Sequence, residues 1–374
     1  MNSKGQRRVS RRRFLRDAAV GAAAFGALPP FISSAGMQAF GAGEEVHPNI
    51  SPLRVVGLMD AGMTKGLLER SSWQQQEELV FPEKVDVNMD RLACALAEEK
   101  DPGKAWRAIF IKPAGKSWSD VVVAVKTNQI AVQRSRSAVM AKVCTVLTDV
   151  IGVKASNIFV YDACHGANMS RTTRFRGLPE GVTLADQWGG STDSVPIPSP
   201  YGGGRAKARC LGHLARGEVD ILVNVALSKG HGMTFGGFTQ SMKNHFGTFE
   251  PGPAHGRGGG ADYLIGINKS PQILGELDPK TGAVLFPRQQ LCVIDALWAS
   301  QGGPGGNATS QPNRIFMGTL PPVLDYQVAT RFRKGEMKWG INEQVAERFL
   351  SEFGFTPDDL PNNGEIVDAM EYIA

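Results

Sequence analysis

Cysteine is scarce in this 374-residue chain and badly spaced for metal. There are five: Cys94, Cys144, Cys164, Cys210 and Cys292. They lie far apart, with no C-x-x-C pair, which excludes the usual spacing of an iron–sulfur cluster or a structural zinc. No iron–sulfur cluster is expected; one or two disulfides fit the count, but buried free thiols fit most of these positions better. Histidine is also rare, six in all, and no H-x-H or H-E-x-x-H spacing occurs. There is no P-loop and no G-x-S-x-G elbow. Gly256 to Ala261 fits G-x-G-x-x-A, but it follows a loop rather than a strand, so dinucleotide binding is not indicated. No apolar run is long enough to cross a bilayer of ~30 Å. No stripe of Lys and Arg interleaved with aromatics occurs, and no internal repeat.

The net charge of +5 is carried by one end. Seven of the 41 basic residues lie in the first sixteen positions, and only one of the 36 acids, Asp17, lies beside them. The rest of the chain is therefore within one charge of neutral, and a basic balance gives no argument for nucleic acid. Within the basic segment, Ser10-Arg11-Arg12-Arg13-Phe14-Leu15-Arg16 resembles the twin-arginine motif S-R-R-x-F-L-K. A short apolar run, Ala18 to Leu28, follows and stops at Pro29-Pro30. Residues 1–43 are thus expected to be a signal peptide and linker, read by the twin-arginine (Tat) export machinery and delivering the protein to the periplasm. No stable membrane span is expected. Residues 44–374 are expected to form one α/β domain.

Along that body, Glu44 to Pro52 reads as linker and Leu53 to Met59 as a first strand. Met89 to Glu98 has helical periodicity, with Asp86 as a cap or turn residue before it. Ala108 to Lys112 and Asp120 to Lys126 read as strands, the second continuously apolar, as a central strand covered on both faces should be. Ala131 to Gly152 reads as a helix and Ile158 to Tyr161 as the next strand, making a βαβ unit that should be parallel. A short strand fits near Val182 to Leu184. Lys207 to Arg216 reads as a helix, Ile221 to Val225 and Gln290 to Leu297 as buried strands, and Asn342 to Gly354 as an amphipathic helix. The fold class is α/β: a mainly parallel sheet with helices on both faces and Gly-rich loops at the strand carboxyl ends.

The most informative stretch is Asp220 to Gly247. A buried strand breaks into a glycine-rich segment that places Lys229, His231, Thr239, Lys243, Asn244 and His245 within about twenty residues, a density a solvated loop does not need. Other strands end in like residues: Lys126 and Asn128 after one, Asp162 and His165 after another, Asp295 near the end of a third. In a parallel sheet these ends lie on one edge, where ligands sit, so one composite site is expected. Two chemistries fit it. The lysines, asparagines and backbone amides suit a small anion, phosphate or carboxylate, and the stabilisation of developing negative charge. In that reading Lys229 and Lys243 stabilise charge and His231 is the acid/base. Asp295 orients His231 or binds metal, and Lys126, Asn128, Asn244 and Thr239 bind substrate. Alternatively His245, His165 and Asp162 hold a divalent metal. Gly247 to Gly260, rich in Gly and Pro, reads as a lid or rim.

Several of these residues fall in one pattern. Asn224-Val225, Lys229-Gly230-His231, Thr239, Lys243-Asn244 and Gly247 together resemble the signature of domain-of-unknown-function family 362. That signature runs N-V-P-x-x-K-T-H, then a Thr four residues before K-N, then Gly. Asp120 to Asn128 resembles the family's earlier strand ending I-K-P-N, and Ile294-Asp295 with the Gly-Gly-Pro-Gly run resembles its I-D-G segment. The match covers roughly residues 85 to 355. It departs at Thr127, Ala226, Gly230 and Ala296, and the family's late acidic segment survives only as Asp325. The ferredoxin-like cysteines of some members are missing. The resemblance implies an α/β fold and a site at Lys126, Asn128, Lys229, His231, Lys243, Asn244 and Asp295, but no reaction. The expectation is an exported enzyme acting on a small anion, with metal assistance as an option; the alternative is a periplasmic binding or maturation protein that uses the same pocket without turnover.

Overall fold

The computed structural model describes residues 47–130, 132–162, 173–186, 192–197, 206–255, 260–278, 280–303 and 305–372. The signal-like segment and His165 lie outside the described residues. Eight strands make the main sheet: β1 (Val56–Met59), β2 (Val123–Lys126), β3 (Ile158–Asp162), β4 (Thr183–Asp186), β5 (Ile221–Leu227), β6 (Gln289–Ala296), β7 (Arg314–Gly318) and β8 (Val367–Asp368). Their spatial order is β8-β1-β7-β6-β5-β2-β3-β4. Only β7 runs against its neighbours, β1 and β6; every other pairing is parallel.

Strand alternation splits the core into two layers. Val123, Val125, Ile158, Val160, Val223, Val225, Leu291 and Val293 point to one face, where Pro82–Ala97, Pro102–Ile109 and Ser137–Thr145 cover them. Ala124, Phe159, Tyr161, Leu222, Cys292, Ile294 and Phe316 point to the other, under Gly260–Asn268, Pro321–Gln327 and Glu343–Ser351. The α/β expectation, with helices on both faces, holds. No helix among the described residues is long and apolar enough to cross a membrane.

The chain leaves β2 toward β3 and β4 on one side, whereas β5, which lies on β2's other flank, leads on to β6. β2 and β5 therefore flank the point where strand order reverses. Loops leaving their carboxyl ends diverge, and a crevice opens between them.

Local expectations fail where a cap or a tertiary contact outweighs pattern. Ala108 to Lys112 is not a strand: Pro102–Ile109 is a helix, begun by Asp101, whose carboxylate accepts from the Lys104 amide, and by Pro102 in its first turn. Trp106 and Ile109 on this helix pack into the core. Asp86 is not a cap, because the helix starts at Pro82 and contains it. Lys207 to Arg216 divides into a strand, Ala206–Leu211, paired with Thr192–Ile197, and one turn of helix. The helix after β2 begins at Ser137 rather than Ala131, and its second half widens into a π-helix, Val146–Ile151. His47 and Ile50 are buried, and the His47 ring reaches the Ile109 carbonyl at 2.8 Å, so packed structure begins inside the expected linker.

Candidate functional site

The crevice beside β2 and β5 holds a small cavity, about 100 Å³, lined in part by Lys126, Asn128, Asp162, His231, Thr239, Lys243 and Asn244. Seven of the eleven residues expected in the site therefore meet at one place.

The floor is a hydrogen-bonded frame that runs across β2, β3 and β5. Lys126, the last residue of β2, points to the same face as Ala124. Its Nζ lies 3.2 Å from Asp162 Oδ1 and donates to Asn244 Oδ1 at 3.1 Å. Both partners of the ion pair are almost fully buried. The other oxygen of Asp162 accepts from the Gln129 amide at 2.6 Å. Asn128 Nδ2 donates to the same Asn244 oxygen at 3.0 Å, and Asn244 Nδ2 donates to Asn224 Oδ1 at 2.8 Å. The short helix Ser241–Asn244, which carries Lys243 and Asn244, is held by Asp325. Its two carboxylate oxygens accept from the Ser241 and Met242 amides at 2.8 Å each. Burial pushes the Asp325 carboxyl up to about 7, against the pull of those amides.

Gly247 closes the frame from above. A Cβ there would fall 2.0 Å from Asp162 Oδ1 and 2.5 Å from Lys126 Nζ, so only glycine lets the backbone cross the ion pair this closely. Gly230 plays the same part behind β5. A Cβ on it would sit 1.8 Å from the Gln301 carbonyl oxygen, and its amide donates to Gly302 O at 3.1 Å. The two glycine-rich loops thus interlock, and the buried Arg333 ties them by donating to Ser228 Oγ at 3.3 Å and Ser300 O at 3.1 Å.

Lys229 underlies the cavity rather than lining it. Its Nζ is fully buried and donates to Asn128 Oδ1 at 2.7 Å and Gln133 O at 2.8 Å. Burial, and next the Arg136 charge, hold its amine well below the usual lysine range. Lys243 Nζ lies 4.0 Å above the Phe246 ring and 4.6 Å from that of Phe235, which places a cation on an aromatic wall. The His231 ring packs edge-on to Phe235 at 4.8 Å. Burial, then the charge of Lys243, push its pKa down to about 3, so the ring is neutral at neutral pH.

Two buried polar atoms of the lining have no hydrogen-bond partner among the described residues: His231 Nδ1 and Thr239 Oγ1. Leaving such atoms unpaired costs roughly 1–3 kcal/mol each.

Asp295 and His245 are placed elsewhere. Asp295 shares the face of Leu291 and Val293, opposite to that of Lys126. Its Oδ2 accepts from the Arg136 amide at 2.8 Å and lies 3.6 Å from Arg136 Nη1, and Oδ1 accepts from the Leu297 amide at 3.2 Å. It orients the start of Ser137–Thr145, not His231; a one-residue parity on β6 decides this. His245 is fully buried below the frame, with Nε2 on Gln289 Oε1 at 2.7 Å and Nδ1 on Thr248 Oγ1 at 3.0 Å. Both ring nitrogens are committed, and burial, the largest cause, pushes its pKa down to about 3. Asp162 is paired to Lys126, both ring nitrogens of His245 are engaged, and among the described residues, which do not include His165, no group of three His, Cys, Asp or Glu side chains has metal-holding geometry.

His255 was missed as a site residue. It stands at the cavity mouth, its ring 6.4 Å from that of His231, with Nδ1 held at 2.9 Å by the Pro251 carbonyl. The only sequence signal for it is the clustering of three histidines between 231 and 255; its Gly/Pro-rich surroundings read as rim. A larger open groove of about 490 Å³ lies between Pro82–Ala97 and Ser137–Thr145. Its central cation, Lys142, already bridges Asp86 and Asp90 at 2.9 Å each, and none of the unpartnered buried atoms belongs to its lining. It is a charged surface furrow.

The family model described as Domain of unknown function (DUF362) matches residues 123–330, from β2 through β7 and into the π-helix that carries Arg333. This chain belongs to that family. The matched span holds every residue of the frame and every cavity-lining residue named above. No curated protein and no solved structure matches the chain. DUF362 membership therefore names the fold-bearing segment and assigns no reaction.

Proposed function

We propose that this protein is an exported enzyme that acts on a small anionic substrate held in the β2–β5 crevice. The observation that carries the reading is the convergence of Lys126, Lys243, Asn128, Thr239 and His231 on one cavity of about 100 Å³, with Asp162 as the carboxylate of the lining. Among the described lining residues Lys126 and Lys243 outnumber that carboxylate, so the local field favours negative charge. Lys243 and Lys126 stabilise charge that develops on the substrate; His231, neutral and without a partner at Nδ1 among the described residues, exchanges the proton. Asp162 holds Lys126 in place, and Lys229 positions Asn128. A cavity of this size suits a sulfate-, phosphate- or short carboxylate-sized group and is well below the ~300 Å³ floor of ordinary cofactor pockets. The donor set supports anion chemistry over metal assistance, because the lining cations repel a divalent ion.

The competing reading is a periplasmic binding or maturation protein that uses the same cavity without turnover. Thermal unfolding with and without sulfate, phosphate, malonate and acetate tests the pocket; a rise in Tm for wild type that is lost in Lys243→Ala is the expected result. Incubation with phosphate monoesters and short carboxylic acids, followed by mass spectrometry, separates the readings: turnover lost in His231→Gln supports the enzyme, and binding without any product supports the alternative. Export rests on the twin-arginine-like segment. Loss of the periplasmic form in an Arg11→Lys, Arg12→Lys variant is the expected outcome, and unchanged fractionation overturns it.

A further inference from the structure

We infer that the anionic group held in the cavity is carried on a flat, uncharged ring that lies at the mouth against His255 and Ile130, so that the substrate class is an aromatic phosphate, sulfonate or carboxylate. The inference rests on the anion reading above and adds what the anion is attached to.

Charge and exposure divide the lining. Its charged side chains, Lys126, Asp162 and Lys243, are all buried. Of the described lining residues only three reach outward: Ile130 and His231 are half-buried, and His255 is exposed. None of these three is a carboxylate, a lysine or an arginine. A cavity of about 100 Å³ is filled by an oxyanion group alone, so the rest of any larger substrate leaves through this outer part. There it meets an aliphatic side chain and two imidazole rings, with no charge among the described outer residues to pair a second ionic group.

His255 is held as a platform. Although exposed, its ring is fixed on three sides: Nδ1 donates to the Pro251 carbonyl at 2.9 Å, and the rings of Phe235 and Phe246 pack against it at 5.6 and 5.7 Å between centroids. A solvated histidine keeps its rotamer freedom; this one has already given it up, so a ligand ring that rests on it costs little further ordering. Phe235 and Phe246 pack edge to face at 5.6 Å, and Phe246 meets Tyr263 at 6.0 Å, which backs the wall with the core. The same two phenyl rings carry Lys243 Nζ, at 4.6 and 4.0 Å. The cation that attracts the anion and the imidazole that takes its body are thus fixed to one aromatic cluster, which sets the head group and the ring of a ligand side by side.

Sulfonates separate the head group from what carries it, because methanesulfonate and benzenesulfonate are both fully ionised at neutral pH. Calorimetric titration of the full chain with each reads Kd. The expected result is that benzenesulfonate binds about tenfold more tightly than methanesulfonate. His255→Ala and Ile130→Ala each remove part of that preference and leave methanesulfonate binding as it is, whereas Lys243→Ala weakens both ligands. Equal Kd for the two sulfonates, or binding of sulfate alone, overturns the inference and leaves the anion pocket standing. Cyclohexanesulfonate, apolar but not flat, overturns the choice of an aromatic ring if it binds as tightly as benzenesulfonate. A preference for benzenesulfonate that survives undiminished in both mouth variants overturns its placement against His255 and Ile130. Failure of both sulfonates, sulfate, phosphate and malonate to bind overturns the pocket reading and this inference with it. The wild-type comparison needs no variant, so a folding defect in one of them leaves the test intact.

Discussion

Two buried charge clusters lie at the carboxyl edge of the same sheet and behave in opposite ways. On one face Arg136 and Asp295, both 0% exposed, are locked together: each carboxylate oxygen accepts a backbone amide, and the guanidinium packs 5.3 Å over Trp298. On the other face Lys126, Asp162 and Lys243 line a cavity, two of whose lining residues carry a buried polar atom without a partner among the described residues. The first cluster fixes a helix to a strand, although Nε and Nη2 of its guanidinium also lack a partner among the described residues. The second lines a cavity, and its described residues bring more cation than anion. Buried charge and unfinished hydrogen bonding occur in both; the volume beside the second sets them apart.

The comparison breaks most visibly at Asp295. Asp295→Ala strands the buried Arg136 and removes an amide acceptor, which lowers unfolding free energy by about 3–5 kcal/mol in urea. The residual folded protein keeps its response to anions. Loss of that response at unchanged stability would place Asp295 in the site after all. Gly247→Ala comes next, because it drives a methyl into the Lys126–Asp162 pair. It is expected to cost about 1–3 kcal/mol and to abolish anion-dependent stabilisation. Full anion response in this variant would show that the ion pair is not part of the pocket.

A third effect is read from pH. His245 in the folded chain is held at about 3 against 6.5 free, so the fold favours its neutral ring. The stability it contributes is complete above pH 6.5 and is lost as pH falls toward 3, because the unfolded chain takes up the proton first. The slope is about 1.4 kcal/mol per pH unit for one histidine. Urea melts from pH 7 to 4 measure it, and His245→Gln should flatten the acid limb without creating or removing a metal signal. Thr239→Val is the smallest and sharpest change. It replaces an unpaired hydroxyl with a methyl of equal size, so the empty protein is unchanged or up to about 1 kcal/mol more stable, while anion affinity falls severalfold. A destabilised Thr239→Val would mean that the hydroxyl has a structural partner.

Much of the cavity was readable before folding because its residues sit where buried strands end. Lys126 and Asp162 each close a strand, and Lys229 to Gly247 follows one directly, so parallel pairing alone brings them to one edge. Asn128 and Asn244 fit the same logic as short polar side chains that bridge neighbouring strand ends. Asp295 looked identical in this pattern, yet its parity on β6 sends it through the sheet. His245 sits one residue from Asn244, but helical rotation turns it under the frame, where Gln289 and Thr248 claim both nitrogens. His255 gave almost no signal, since its place at the mouth depends on how the segment Gly252–His255 folds back over Phe235 and Phe246. The false strand at Ala108 to Lys112 has a similar cause: apolar residues there serve a helix set by Asp101 and Pro102 rather than a β-ladder.

By itself the sequence determined the alternation of buried strands with helices, the parallel sheet this demands, and the chemistry gathered at its carboxyl edge. These follow from local periodicity and from the steric uniqueness of glycine at positions such as Gly230 and Gly247. Only the tertiary structure decided which of those groups share a face, because that depends on strand parity, on the reversal of strand order between β2 and β5, and on which hydrogen bonds are satisfied before any ligand arrives.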